Sequence, residues 1–296
     1  MPANSDYQIV SAGEWRLALL SGMWSADLEK KVLEVVDAQP WSKHPQTLAV
    51  RLAQGREEND FYLKVFHRSK AWSACKDGFR ISRAFRAWRQ GLALSEAGFD
   101  VPLTIAAGEQ RRCRLLRRAF ILTQKIEGQP AHLFLCRLID RGGRNILPQA
   151  KRAGLRRVAG LVRRFHEHGF VHGDLVASNI FVSDARGGDR VFYFMDNDRT
   201  RRYPSWVPQS LWKRNLIQLN RMPLPGITLQ DRMRFFHAYL SSQRLSRGEH
   251  RLAHWLERKT RQRRVECDGV DPTGDFRRLM RWSREISAPT KLGKVG

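Results

Sequence analysis

Acidic side chains are in short supply in this sequence. Its 296 residues hold 29 Asp and Glu against 53 Lys and Arg, a formal net charge of +24. A surface so basic attracts polyanions, namely nucleic acid, an anionic membrane or a phosphorylated substrate, unless the arginines are merely solvated. Arg also matches phosphate and carboxylate in bidentate geometry. Cysteine is scarce too. Cys75, Cys113, Cys136 and Cys267 are scattered without a CxxC spacing, which argues against structural zinc and against a disulfide framework, and fits reduced thiols in a cytosolic chain. No apolar run approaches the roughly 18 residues that a membrane-spanning helix needs. The opening residues MPANSDYQIV lack the basic-then-apolar order of a signal peptide. Internal repeats and low-complexity tracts are also missing, which excludes solenoids and arrays.

What is there reads as a folded domain or pair of domains: 42% hydrophobic and 28% charged residues, long enough for a sizeable core. Residues 1–40 are mixed, and Leu28–Val36 fits a strand or a short helix equally well. Residues 46–52 and 61–66 read as two strands around a polar turn at Gly55. Residues 79–97 predict an amphipathic helix with Phe85, Trp88 and Leu92 on one face, stopped by Gly98. Strands are expected at 103–106 and 119–123, and the breaker cluster Glu127-Gly128-Gln129-Pro130 marks a boundary. Beyond it, residues 150–168 predict a helix with Leu155, Val158, Leu161, Val162 and Phe165 inward and five arginines outward. Short apolar runs follow at 170–171, 180–182 and 191–195, the last two joined by a turn at 185–189. Helices are expected around Leu211–Leu219, Asp231–Leu240 and 248–264, with a polar tail from Cys267. His166 and His168 flank Glu167, but positions two apart do not share a helix face, so no metal is expected there. Trp206, Trp212, Trp255 and Trp282 read as core or interface anchors.

The chemistry concentrates in His172-Gly173-Asp174-Leu175-Val176-Ala177-Ser178-Asn179 and, after two apolar runs, Asp196-Asn197-Asp198-Arg199. Phosphoryl transfer to an alcohol needs a carboxylate to take the hydroxyl proton and hard oxygen ligands for Mg2+. Asp174 suits the base. Asn179, five residues on, and Asp196, returned by a hairpin, suit the metal. Order and spacing match a kinase catalytic loop and its metal-binding Asp. A random Gly-Asp turn between strands would leave Asn179, the flanking strands and Asp196 unexplained.

On these motifs the chain resembles the lipopolysaccharide kinase family, which phosphorylates Kdo or heptose in the inner core of lipopolysaccharide. HGDLxxxN stands at His172–Asn179, the DR pair at Asp198-Arg199, the lysine strand at Tyr62-Leu63-Lys64-Val65-Phe66, and further similarity lies in Ser82–Pro102 and Asp231–Leu240. The resemblance spans roughly residues 40–260. It implies an α+β, bilobal protein-kinase-like fold, with a small strand-rich N-lobe over 1–126 and a helical C-lobe over 127–296. It implies ATP and Mg2+ as cofactors, Lys64 on the α- and β-phosphates, and adenine on backbone groups of the hinge at Gln124 and Ile126. Asn179 and Asp196 serve nucleotide and metal alike. Two features depart from the kinase pattern. No glycine lies in 42–52, so phosphate cover falls to backbone amides, Lys43 or Arg51; and Ala87 stands where a helix glutamate would orient Lys64, with Glu96 far along the helix. Asp198 is expected to pair with Arg199 or a nearby amide.

The expected partner is the lipopolysaccharide core or a lipid A precursor, with the enzyme held peripherally on the anionic cytoplasmic face of the inner membrane. Two other readings compete. Another kinase of this fold, such as one resembling aminoglycoside phosphotransferases, shares HGDLxxxN, but cationic substrates call for an acidic cleft. A weakly active pseudokinase or a nucleic-acid module would use the charge alone; no nucleic-acid motif is present, and a binding protein would not need Asp174, Asn179 and Asp196 together.

Overall fold

A computed structural model of the chain describes residues 6–54, 57–67, 81–137, 148–184, 190–206, 210–221 and 227–268. The expected turns at Gly55 and 185–189, the polar tail, Cys75 and Trp282 lie outside them. The chain forms an α+β structure of two compact units, Met1–Glu127 with Tyr193–Thr200, and Gly128–Phe192 with Arg201–Gly296.

The first unit is a six-stranded antiparallel sheet with two helices. Its elements are β1 (Tyr7–Ala12), β2 (Trp15–Leu20), α1 (Ala26–Ala38), β3 (Gln46–Gln54), β4 (Glu57–His67), α2 (Arg83–Glu96), β5 (Thr104–Arg112) and β6 (Leu115–Gln124). The strand order is β1-β2-β5-β6-β4-β3. The expected hairpin is the β3–β4 pair, with Leu48 opposite Leu63 and Thr47 opposite Lys64. Strand alternation sends Phe61, Leu63 and Val65 to one face and Tyr62, Lys64 and Phe66 to the other. Helix α2 covers the sheet with Phe85, Trp88 and Leu92 buried among Leu17, Ile105, Phe120 and Leu122. Its first turn is capped by the Ser82 hydroxyl, which accepts from the Phe85 amide at 3.2 Å. At its other end Gly98 takes the left-handed conformation (φ +76°) and Phe99 N–H returns to the Leu94 carbonyl.

The ambiguous Leu28–Val36 segment is a helix. Ser25 caps it, and Leu28, Val32 and Val36, each four residues apart, are buried. Arg118 donates to the carbonyls of Val36 and Asp37 at its C-terminal end, at 3.1 and 3.0 Å. Strands β1 and β2 were not expected at all. The β1 edge exposes Ile9 and Val10, while β2 buries the unbroken run Leu17–Leu20, so neither shows the alternation that marks a half-buried strand.

The second unit is mainly helical. It contains β7 (Gln129–Pro130), α3 (Ala131–Arg137), α4 (Pro148–Glu167), β8 (Phe170–Val171), β9 (Ile180–Asp184), most of β10 (Arg190–Phe194), β11 (Arg201–Arg202), α5 (Ser210–Arg221), α6 (Leu229–Leu240) and α7 (Arg247–Asp268). β9 lies between β10 and β7, and β8 pairs with β11. α4 buries Leu155, Val158, Val162 and Phe165, with Leu161 half-buried, and exposes Arg152, Arg156, Arg157 and Arg164. Trp206, expected in a core or an interface, is outside the core, 80% exposed. α6 opens with a capping box between Thr228 and Asp231. Asp231 is also the partner of Lys151 on α4 at 2.7 Å, and both side chains are almost fully buried.

Removing one member of a buried ion pair strands the other charge without water. Asp231→Ala, which leaves the Lys151 ammonium buried and also breaks the α6 cap, is expected to destabilise the protein by about 3–5 kcal/mol in urea unfolding. A loss below about 1 kcal/mol would show that Lys151 escapes to solvent.

Candidate active site

In the second unit, β8 delivers the chain into the loop that carries Asp174. Gly169 before it has φ +80°, and any side chain there would run into the Tyr203 carbonyl. His172 is fully buried, Gly173 makes the turn with φ +73°, and Asp174 is half-buried. Leu175, Ala177 and Ile180 anchor the loop in the core around a single 3-10 turn at Ala177–Asn179. The Asn179 side chain donates from Nδ2 to the Asp174 carbonyl at 2.9 Å. This bond sets the amide's orientation and leaves Oδ1 as a hard oxygen acceptor. Among the described residues no Lys or Arg forms an ion pair with Asp174.

In the first unit, Lys64 and Asp196 meet. The ammonium donates to the carboxylate in a hydrogen-bonded ion pair between residues 132 positions apart. Asp196 lies just past the end of β10 in left-handed backbone conformation (φ +56°, ψ +54°), which Asp tolerates better than most residues. This backbone turns the chain into the 3-10 turn Asn197–Arg199, which packs on α2, and Asn197 Nδ2 donates to the Phe194 carbonyl at 2.9 Å. Asp198, expected beside Arg199 or an amide, is held instead by the Arg83 guanidinium at the start of α2. The physical reason is burial: Asp198 is 3% exposed on the side facing α2, whereas Arg199 is exposed. Burial pushes the Asp198 carboxyl upward, the neighbouring Asp196 charge adds to it, and Arg83 and Lys64 oppose. Phe66 joins the two pairs, with Lys64 Nζ 5.4 Å and Arg83 Cζ 5.0 Å from its ring centroid. No acid of α2 serves Lys64: Ala87 is half-buried and Glu96 is exposed. The partner of Lys64 is Asp196 itself.

At the end of β6, Gln124 is exposed and Ile126 half-buried. The Gln124 amide is taken by the Leu103 carbonyl (2.8 Å) and the Lys125 amide by Asp60 (3.0 Å). Gln124 pairs in register with Phe61, three residues along β4 from Lys64, or about 10 Å. Of the two side chains considered for phosphate cover, Arg51 is bonded to Asp60 at 3.0 Å and Lys43 is exposed.

Residues that the sequence did not mark lie on α5. Asn215, fully buried within an otherwise apolar pattern, accepts the His172 N–H at 3.0 Å, and Gln218 reaches the same loop. His166 completes the neighbourhood. Its Nε2 lies 3.2 Å from Asn215 Oδ1 and its Nδ1 2.9 Å from the Tyr239 hydroxyl. Asn215 Oδ1 already accepts a backbone N–H, so Nε2 carries the proton and Nδ1 accepts from Tyr239. Burial pushes the His166 pKa down to about 4, opposed by the bond to Asn215, and burial raises that of Tyr239. Among the described residues no group of three metal-ligating side chains includes His166 or His168.

The model of the lipopolysaccharide kinase (Kdo/WaaP) family matches residues 41–239. Two relatives from Haemophilus influenzae, strains PittEE and 86-028NP, each named 3-deoxy-D-manno-octulosonic acid kinase, are 27% and 26% identical over 209 residues. The match takes in 65% of this chain and 81% of each relative. A solved structure of WaaP in complex with acyl carrier protein superposes with a TM-score of 0.59 over 83% of this chain and 98% of that one. At 21% identity it speaks for the kinase-like fold alone.

The lowered pKa of His166 has a consequence for stability. A histidine held neutral in the fold and titrating near 6.5 when unfolded contributes its full stability above pH 6.5. That contribution is lost as pH falls toward 4, by an amount on the order of 3 kcal/mol. The slope of unfolding free energy against pH between 6.5 and 4 is expected to be shallower in His166→Gln by close to one proton. Identical slopes in the two proteins would mean that His166 titrates normally.

Proposed function

Because this chain belongs to the lipopolysaccharide kinase (Kdo/WaaP) family and is a kinase, we propose that it transfers the γ-phosphoryl group of ATP to a hydroxyl of 3-deoxy-D-manno-octulosonic acid (Kdo) in the lipopolysaccharide inner core. The choice of Kdo over heptose rests on the two relatives of that name. The observation that carries the assignment of residues is the Lys64–Asp196 pair, which unites the strand lysine and the acid after β10 as a nucleotide site requires.

In this reading Asp174 is the general base. It has no cationic partner among the described residues, so its carboxylate is available to accept the proton of the acceptor hydroxyl as the oxygen bonds to the γ-phosphorus and the bond from that phosphorus to the β–γ bridging oxygen breaks, releasing ADP. Lys64 neutralises charge on the α- and β-phosphates. Gln124 and Ile126 offer backbone groups to adenine. With the amides of Gln124 and Lys125 already engaged, the contacts fall to the Gln124 carbonyl and to Ile126. Asn179 Oδ1 and the Asp196 carboxylate are hard oxygens of the kind Mg2+ takes, and these residues fit that ion. Magnesium, when bound, supplies charge neutralisation at the phosphates. Arg83 fixes Asp198, and through the short turn Asn197–Arg199 it fixes the backbone that presents Asp196.

The acceptor is part of a polyanionic lipid, and no described helix is long and apolar enough to cross a membrane. We infer peripheral attachment to the anionic cytoplasmic face of the inner membrane. The exposed Arg152, Arg156, Arg157 and Arg164 of α4 favour it by about 1 kcal/mol per well-placed charge.

Two outcomes are expected. Mass analysis of lipopolysaccharide from cells expressing the protein should show one added phosphate on Kdo. Asp174→Asn or Asp196→Ala should reduce that product at least 1,000-fold, on the order of the loss when a catalytic group is removed. Retention of the phosphate in Asp174→Asn would overturn the base assignment. Separately, binding to vesicles rich in anionic lipid should weaken steadily as salt rises from 0.05 to about 0.5 M, and salt-independent binding would rule out electrostatic attachment.

A further inference from the structure

The loop around Asp174 is irregular and largely buried, so its backbone polar groups cannot be satisfied by a helix or a sheet ladder. They are satisfied instead by two side chains one turn apart on α5. Asn215 Oδ1 accepts the His172 N–H (3.0 Å), Gln218 Nε2 donates to the Gly173 carbonyl (2.9 Å), and Gln218 Oε1 accepts the Leu175 N–H (3.1 Å). The two amides also bond to each other, Asn215 Nδ2 to Gln218 Oε1, at 3.0 Å. We propose that Asn215 and Gln218 form a positioning clamp that holds the backbone on both sides of Asp174, and so sets where its carboxylate stands. The inference rests on Asp174 being the base.

Hydrogen-bond arithmetic makes the clamp specific. Gln218 must accept from one loop group and donate to another, which only an amide does at that length. Asn215 must accept from two donors, the His172 N–H and His166 Nε2–H, and donate once, to Gln218. Turning either amide over places like groups face to face at three contacts. The orientation is therefore fixed from Tyr239 through His166, Asn215 and Gln218 to the loop. Asp174 is tied within the loop as well: its N–H donates to the His172 carbonyl (2.8 Å), and its carbonyl accepts from Asn179 Nδ2 and the Val176 N–H. The clamp is thus what connects this self-bonded loop to the rigid helix α5. A general base acts through accurate placement, and a displacement near 1 Å costs about 100-fold in rate.

The test uses the full chain with Gln218→Met, which keeps length and removes both loop bonds. Gln218 is half-buried, and the substitution leaves Lys64, Asp196 and Gln124 untouched. The expected result is a kcat for phosphoryl transfer lower by about 100-fold, a KM for ATP within about two-fold of wild type, and faster hydrogen exchange at the Leu175 amide. If Gln218→Met does not fold, Gln218→Asn is measured in the same way; it keeps a neutral amide but is one methylene too short to hold both loop groups. A folded variant with wild-type kcat would overturn the clamp. So would a loss of kcat matched by an equal rise in KM for ATP, which would mean a general distortion. Asp174→Asn run alongside separates the two ideas. If it is inactive while Gln218→Met is normal, the clamp fails and the base assignment stands; if it is active, the base assignment itself fails.

Discussion

In a chain with a net charge of +24, carboxylates are the limiting partners, and how they are shared organises the molecule. Buried Glu109 receives Arg111 and the Ser82 amide, buried Asp198 receives Arg83, and buried Asp231 receives Lys151 and Arg234. Each joins elements that are distant in sequence or anchors a helix start, because a buried charge without a partner is far costlier than the pair. Asp196 is more exposed and paired with Lys64. Asp174 differs from all of these. Its backbone is tied down while its carboxylate makes no ion pair among the described residues, which is the condition a proton acceptor needs.

How far the sequence disclosed this follows from the range of each interaction. The loop from His172 to Asn179 is local: Gly173 must adopt a left-handed turn and Asn179 must reach back five residues, so spacing alone reveals it. The β3–β4 hairpin, α2 and α4 declare themselves by period, since each has one buried face. α1 did not, because Leu28, Val32 and Val36 sit in a segment whose other apolar residues blur the stripe. The long-range pairings had no sequence signal. Arg83 is 115 residues from Asp198 and one of many arginines, and nothing in the local pattern selects it over Arg199. Asn215 was legible only as an interruption in the apolar face of α5, and its meaning needs the loop 43 residues away.

The departures from the kinase pattern also have a structural account. A lysine on a strand needs an acid to orient it, and the helix that would carry one has Ala87. Asp196 takes that place, in a left-handed backbone held by the turn that Arg83 secures through Asp198. Under the proposed function one acid would then face two duties, orienting Lys64 and presenting oxygen to a cation. Phe66 lies beneath both Lys64 and Arg83, so the face of β4 that carries the lysine is shaped by an aromatic ring rather than by a second carboxylate.

The chemical nature of the clamp on α5 follows from the same economy of charge. Gln218 bonds to the residues immediately before and after Asp174, so any charge on it would act on that carboxylate directly. A glutamate there would make ionisation of Asp174 harder, and a lysine would pair with it and occupy the group meant to accept a proton. Neutral amides supply both a donor and an acceptor without changing the charge felt by Asp174. His166, kept neutral by burial behind Asn215, extends the same neutrality one layer deeper. In a protein otherwise crowded with arginines, the support behind the proposed base is built from uncharged polar groups. This lets the loop be rigid and the carboxylate remain a base at the same time.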